Sequence, residues 1–535
     1  MPPKIWTAST DALNTQVLEV ESTFLRGFAG IQLIGNVTDI CKAGMERAKA
    51  SLENCGLILP QKKIMMSVTP ASARIDGSQI DLAFAASLAS LTLEQTSSHA
   101  LNGWVCVAEL DLEGNLRPVK NIVSFLLAAS ATPGCHGIIL SEANLKEANA
   151  LASLNSPLLS QLQVVGLHNL TQLLDWLTGA QVPVIQTMTD LPHIENTSVP
   201  PLNEPNFDDM VLSDQMRTLA LTIASGHHSL MLYGTPGTGK SMFACRLPSL
   251  FCKLDEETHI QALRIHSSLA EHIDPNLLAA QPPFRNPHHQ TSAGAILGVP
   301  EAPGEISLAH GGLLFLDEIP EFRRDILESL REPLETGVVQ VSRARRKVTW
   351  EGRTILIAAC NLCPCGWLGS KKRRCTCPTQ KILSYRRKIS GPILDRIDLH
   401  YNLFETVKSG ADLLRQITAP EHQGATAQMR QRVQQARDFA QTKYMLRGTS
   451  RNAHINPKQL AQACGLTSES LAQKVEAVIP NHASPRSTIR CIRVARTLAD
   501  LNQQEQVQLE DLQLAWQWQA EPCGRSRGDQ ALGLL

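Results

Sequence analysis

The spacing of apolar and polar positions changes period several times along the chain, and each change predicts an element. Val17, Leu18 and Val20 set against Glu19 and Glu21 read as a half-buried strand. Positions 43–55 read as a helix ended near Gly56, 64–68 as a second strand, and 81–91 as a compact apolar helix. The run 105–110 followed by Gly114-Asn115-Leu116 predicts a hairpin. A helix over 122–131, a strand over 137–140 and a closing helix over 170–177 complete an α+β order for residues 1–180, without a nucleotide motif. Residues 181–210 carry Pro183, Pro192, Pro200, Pro201 and Pro205 with little periodicity, which predicts a linker.

From 211 to 405 the pattern is that of an α/β nucleotide domain built around one stretch. An apolar run over 230–233 leads into Gly234-Thr235-Pro236-Gly237-Thr238-Gly239-Lys240-Ser241, and 242–246 suits a helix. Several backbone N–H groups must come close to a triphosphate, and the glycines permit that approach. Lys240 is expected to reach the β/γ-phosphates of ATP, Ser241 to hold Mg²⁺, and the helix N-terminus to add its amide dipoles. A second apolar strand, Gly312-Leu313-Leu314-Phe315-Leu316, ends in Asp317-Glu318. At the carboxyl edge of a parallel sheet Asp317 would hold Mg²⁺ through water and Glu318 would polarise the attacking water. Asn361, just past a core strand over 354–359, could orient that water.

The remaining pattern is coarser. Positions 323–332 predict a helix stopped by Pro333, and 391–399 an apolar strand. Arg396 is a candidate finger for a neighbour's γ-phosphate, because guanidinium is planar, permanently charged and bidentate. Residues 406–520 are mostly helical and read as a lid, with 521–535 a frayed tail. Ser484-Pro485 is a good helix start that sets Arg486, Arg490 and Arg493 on one face. Arg486 either lies over a nucleotide or belongs to a face of surface salt bridges.

Composition narrows the function. At 535 residues the chain should hold two to four domains. Fifty basic and fifty acidic residues leave no net charge, so a nucleic-acid signal must be local. It is local: between 352 and 394 there are nine Lys or Arg and no acid, among them Lys371, Lys372, Arg373 and Arg374. Two β-rich pieces flanking Arg343, Arg345, Arg346 and Lys347 predict a hairpin with a basic tip. These clusters either contact a DNA backbone or form solvated, nucleotide-facing charge; aromatic residues between them (Trp350, Trp367, Tyr385) are too sparse to favour base stacking. Of fourteen cysteines, Cys41, Cys106, Cys245, Cys360 and Cys491 read as small buried thiols. Cys363, Cys365, Cys375 and Cys377 form two CxC pairs that could close a tetrahedral Zn²⁺ site or remain free thiols. Adjacent His288 and His289 are expected to point apart, with packing or hydrogen bonding favoured over a metal. No signal-type apolar start and no membrane-length apolar run are present, so a cytoplasmic protein without membrane contact is expected.

Over nearly its whole length the sequence resembles the Mg-chelatase-like AAA+ ATPases of the YifB/ComM family. The matching stretches run from Pro283-Phe284-Arg285 through His289, Pro303-Gly304-Glu305-Ile306-Ser307-Leu308-Ala309-His310, Phe315-Leu316-Asp317-Glu318, Leu330-Arg331-Glu332-Pro333-Leu334-Glu335, Cys363-Pro364-Cys365-Gly366, Gly391 through Leu399, and Arg493-Val494-Ala495-Arg496-Thr497. The resemblance implies a homo-hexameric ring with ATP between subunits. In it Arg396 is the trans finger, Arg486 the second sensor, Asn361 the first sensor, and the hairpin from Arg343 to Lys347 a pore element that grips DNA. It further implies a branch-migration helicase acting on branched or single-stranded DNA in natural transformation, with recombination proteins as partners. The first domain resembles the Lon-protease domain within a ribosomal-S5-like fold. Gln79 stands at the nucleophile position of Asp76-Gly77-Ser78-Gln79, and no lysine lies in the helix after Asn121, so that domain is expected to be catalytically silent. Where the family has Gly-Leu-Pro and Asn-Pro-Cys-Pro-Cys, this chain has Gly27-Phe28-Ala29 and Asn361-Leu362-Cys363-Pro364-Cys365. Rival readings are a protein remodeller, a chelatase subunit acting through protein partners, and a scaffold in which ATP only locks assembly.

Overall fold

A computed structural model describes residues 4–519 apart from 36–37, 74, 76, 94–99, 155, 157–158, 193–204, 270–272, 344–345, 371–372, 404–423 and 444–450. Asp76, Arg345, Lys371, Lys372 and residues 193–204 of the expected linker therefore lie outside the described residues, as does the tail.

Two sheets organise the chain. The first has eight strands in the order Gln186–Thr187, Gln163–Leu167, Gly137–Ser141, Trp104–Val107, Lys4–Asp11, Asn14–Leu25, Lys63–Thr69 and Gly30–Ile34. Its edge strand falls in the stretch expected to be linker. Gln186–Thr187 pairs antiparallel with Gln163 and Val164, and Met188 and Leu191 are buried beneath it, so residues up to 191 belong to this sheet's layer. A proline-rich sequence reads as linker, but two residues suffice for an edge strand, where few ladder bonds are needed. Helix Asp81–Thr92 is buried almost throughout on one face. On the other face helix Ile122–Ala131 packs against helix Glu256–Leu269, with Ala262 and Leu263 completing the apolar cluster.

The second sheet has five parallel strands in the order Phe284–Arg285, Leu313–Leu316, Ile355–Cys360, Leu230–Tyr233 and Leu399–Asn402. Its first strand in the chain, Leu230–Tyr233, lies between the fourth and the fifth, which makes its carboxyl end a topological switch point where such folds bind ligands. Alternate side chains serve two cores. Leu230, Leu232, Phe315 and Ile357 face a cluster that takes in Met429, Val433, Cys491 and Val494 of the helical C-terminal part. Met231, Leu314, Leu356 and Ala358 face Phe322, Ile326 and Trp350. The helical part thus covers one face of the sheet.

Two local expectations are corrected. Pro333 does not stop a helix. Helices Arg324–Ser329 and Arg331–Thr336 meet at Leu330, and Pro333 falls in the first turn of the second, where no N–H donor is needed. The stretch 391–399 is not one strand: Gly391–Leu394 is a helical turn with Pro392 near its start, and the strand begins at Leu399.

Candidate functional site

The parallel register delivers three motifs to one edge. Tyr233 lies opposite Cys360, and Leu316 opposite Ala358, so the loops after all three strands leave the sheet together. The first is the glycine-rich loop. Gly234, Gly237 and Gly239 have φ of 158°, 79° and 88°, and the last two occupy the left-handed region that glycine permits. Gly239 precedes helix Lys240–Arg246. The Lys240 ammonium donates to Gly234 O at 2.9 Å, Thr235 O at 3.1 Å and Asn361 Oδ1 at 3.0 Å. Burial holds its pKa below the ordinary lysine value, against the pull of Asp317 and Glu318. Thr238 Oγ1 closes the loop on Thr235 O at 2.9 Å.

Ser241 Oγ donates to Asp317 Oδ2, so the two groups expected to share Mg²⁺ already touch. The donor set fits that ion: a hydroxyl and a carboxylate beside a phosphate cradle are hard oxygen ligands. Mg²⁺ held by Ser241 and Asp317 would shield phosphate charge, and Lys240 and the loop N–H groups would orient the triphosphate. Glu318 is exposed and has φ +50°, with its N–H on Asp317 Oδ1 at 2.9 Å. A left-handed glutamate is uncommon, and it turns this side chain away from the strand direction.

Arg396 and Arg486 lie at the opposite edge. They share a cavity of about 390 Å³ with Ser229, Gly312, Ile355 and Asp398, residues at the amino ends of four of the parallel strands. A four-residue strand separates the two edges by about 13 Å. Arg486 therefore does not lie over its own chain's phosphate loop. Its Nη2 donates to Glu335 Oε1 at 2.9 Å, while Arg396 Nη2 binds Glu335 Oε2. The helix start is as expected, with Ser484 Oγ accepting from Ser487 N at 3.1 Å. The arginine face it carries is split: Arg486 is exposed and ion-pairs with exposed Glu335, whereas Arg490 is buried and Arg493 half-buried. Arg490 donates to the carbonyls of Leu394 and Ile397, Arg493 to that of Ile455, and both line the cavity with Arg353 and Arg451. Burial, with Arg437 and Arg451 nearby, keeps His227 far below its ordinary pKa; burial with Arg353 and Arg451 takes His454 down to about 4. Both rings are neutral at pH 7, and the cavity's positive charge comes from arginine. Glu335, Arg353 and Arg451 were not legible as site residues, since only the tertiary fold gathers them.

The basic hairpin forms as strands Val338–Arg343 and Arg346–Glu351. Arg343 and Lys347 are exposed. Trp350 is buried at the base, its Nε1 donating to Val299 O at 3.2 Å, and so serves as an anchor. Arg346 is not free. Its guanidinium binds Asp11 of the first domain through Nε at 3.1 Å and through Nη2, with Glu301 at 3.5 Å. Arg373 stacks over Trp367 at 5.4 Å and Arg374 is exposed.

Among the described residues the four cysteines are one group gathered closely enough for a metal, all their sulfurs lying within 4.8 Å of one another. Backbone N–H donation from Trp367 draws the Cys365 thiol down to about 6, while burial pushes Cys363 up to about 12. His288 and His289 do not point apart. Their rings lie 4.0 Å apart on a loop and His289 meets Phe322 edge-on, which is packing. In the first domain Ser78 Oγ donates to Glu109, not to a lysine amine.

Comparison with known proteins agrees over the whole chain. Family models match in three segments: magnesium chelatase subunit ChlI over residues 207–410, a further segment of that subunit over 20–144, and its C-terminal part over 423–519. The uncharacterized protein YifB of Escherichia coli is 32% identical over 521 residues, covering 96% of each chain. An uncharacterized protein of Mycobacterium tuberculosis is 31% identical over 502 residues, 93% of this chain and 94% of its own. Competence protein ComM of Haemophilus influenzae is 31% identical over 511 residues, 94% of each. No helix among the described residues is long and apolar enough to cross a membrane. With its phosphate loop, paired acids and polar strand-end Asn361 on one edge of a five-stranded parallel sheet, this chain belongs to the magnesium-chelatase-like AAA+ ATPase family that includes YifB and ComM.

Proposed function

We propose that the chain is one subunit of a cytoplasmic ring, a homo-hexamer, that converts ATP hydrolysis into movement on DNA as a branch-migration helicase in recombination. The observation that carries this reading is the hairpin's place in the chain. It springs from between the strand that ends at Asp317 and the strand that leads to Asn361, and it carries Arg343 and Lys347 exposed. The single strand Ile355–Cys360 joins the hairpin, at its amino end, to Asn361, at its carboxyl end, so a rearrangement at the phosphates has a covalent path to a basic tip. ATP binds at Lys240, Ser241, Asp317 and Glu318, and the next subunit's Arg396 and Arg486 complete the site. Arg346, Arg373 and Arg374 add phosphate contacts, and Zn²⁺ is the metal of the four cysteines. The relative named competence protein ComM supports the recombination setting.

Steady-state ATPase without DNA, with single strands and with branched DNA tests the reading. Turnover is expected to rise with branched DNA and to fall steeply with salt. Arg343→Ala should weaken DNA binding and reduce the salt slope of log K by about 1, as for one lost phosphate contact. Turnover indifferent to every DNA would instead favour a protein remodeller or a chelatase-type subunit.

Asp11 predicts a second result. Its carboxylate holds Arg346, so it competes with phosphate for that guanidinium. Asp11→Asn should tighten DNA binding by about two- to fivefold, the worth of an exposed ion pair. Fluorescence anisotropy at two salt concentrations checks it; unchanged affinity would mean that Arg346 makes no contact with the DNA.

A further inference from the structure

The thiol cluster stands next to the nucleotide site in sequence and in space. The strand Ile355–Cys360 ends, Asn361 reaches the Lys240 amine at 3.0 Å, and Cys363 follows two residues later, fully buried. Cys363 Sγ lies 3.4 Å from Cys365 Sγ and 3.6 Å from Cys375 Sγ, and Cys365 and Cys375 are 3.6 Å apart. Metal–sulfur bonds of about 2.3 Å in a tetrahedron put sulfurs about 3.8 Å apart, so the cluster has the dimensions of a closed tetrathiolate site. Four sulfurs and no open position describe a structural metal. The exposed Arg373 and Arg374 beside it, with no acid between 352 and 394, offset the negative charge such a site carries.

Gly366 shows what the site supports. It turns with φ +82° directly after the first thiol pair, its N–H donating to Cys363 O at 2.9 Å. A Cβ added there would lie 2.6 Å from Pro236 Cγ, 2.8 Å from Pro236 Cδ and 3.8 Å from Asn361 Nδ2. The thiol turn therefore rests directly on the phosphate loop, close enough that only glycine fits. On its other side Arg386 Nε donates to Leu362 O at 3.2 Å, tying the same turn to helix Thr379–Arg386. The loop from 363 to 377 contributes few large apolar side chains, Leu368 being the buried one, so cross-linking has to come from its sulfurs.

We propose that a zinc ion held by Cys363, Cys365, Cys375 and Cys377 is the buttress of the ATP site, fixing Pro236 and Asn361, so that nucleotide affinity depends on metal occupancy. This rests on the ATP-site and zinc assignments made above. The metal takes no part in hydrolysis. It sets the position of the loop that cradles the phosphates, and its loss or oxidation of the thiols would relax that loop.

The test uses the full chain. Metal content is measured by mass spectrometry, and a fluorescent ATP analogue is titrated against protein as isolated, protein stripped with a chelator and a reversible thiol reagent, and stripped protein reloaded with Zn²⁺. About one zinc per chain is expected, with affinity about tenfold weaker after stripping and restored on reloading. Gly366→Ala should keep its zinc and still bind the analogue about tenfold more weakly, because its methyl group displaces Pro236. That variant decides the matter if the stripped protein unfolds. Stripped protein, or Gly366→Ala, that binds nucleotide as well as the loaded wild type would overturn the buttress while leaving the ATP site intact. Protein that neither contains nor takes up zinc would overturn the metal. Lys240→Ala that still binds the analogue would overturn the ATP site on which both depend.

Discussion

Glu318→Gln is expected to cut ATP hydrolysis by about 10²-fold or more while leaving ATP affinity nearly unchanged. The reasoning starts from local geometry. Asp317 and Glu318 are neighbours in sequence, but the left-handed backbone at Glu318 sends them to different tasks. Asp317 faces Ser241, the pair that would hold Mg²⁺, and accepts the Glu318 N–H. Glu318 projects into solvent at the open edge of the sheet. An amide of the same shape keeps the turn, the Asp317–Ser241 pair and the phosphate cradle, and removes only the carboxylate that would polarise water. Single-turnover hydrolysis alongside binding of a fluorescent ATP analogue separates the two effects. Undiminished hydrolysis would assign the base elsewhere; lost binding would make Glu318 part of the cradle.

Arg396→Ala should lower turnover by about 10³-fold, the scale of a missing arginine finger. Its defect should be curable by a different defective subunit. Arg396 lies at the amino edge of the sheet, about 13 Å from its own phosphate loop along a four-residue strand, so it serves a neighbour or nothing. Mixing Arg396→Ala with Lys240→Ala protein creates interfaces with an intact phosphate loop on one side and an intact Arg396 on the other. ATPase should reappear in the mixture although neither protein is active alone. In the single chain the two oxygens of Glu335 hold Arg396 and Arg486 side by side, and both guanidiniums lower its pKa, Arg396 more strongly. The carboxylate keeps the two guanidiniums converged on one point of the amino edge. A mixture that stays dead, or full activity from Arg396→Ala alone, would rule out the shared site.

Much of this architecture was legible in the sequence because its signals are local. The phosphate loop needs glycines at fixed offsets, the Asp317 strand is a continuous apolar run, and helix Ile122–Ala131 matches its apolar spacing at both ends. What escaped depends on residues far apart in the chain. Two residues inside a proline-rich stretch, Gln186–Thr187, become a strand only because Gln163–Leu167 offers them an edge. Arg486 was legible as part of an arginine face, but the direction of that face follows from which side of the sheet the helical part covers. The left-handed Glu318, the hold of Asp11 on Arg346, and Gly366 beneath Pro236 have no periodic signature, since each is a contact or a turn set by the finished fold.

The separation of Lys240 and Arg396 to opposite rims of one sheet has a consequence for concentration. If Arg396 completes the site of a neighbouring copy, as proposed, a lone copy carries both halves of the machinery and can bring neither to the other. Output would then rise more steeply than in proportion to the amount of protein, and dilution would act as an off-switch that needs no inhibitor.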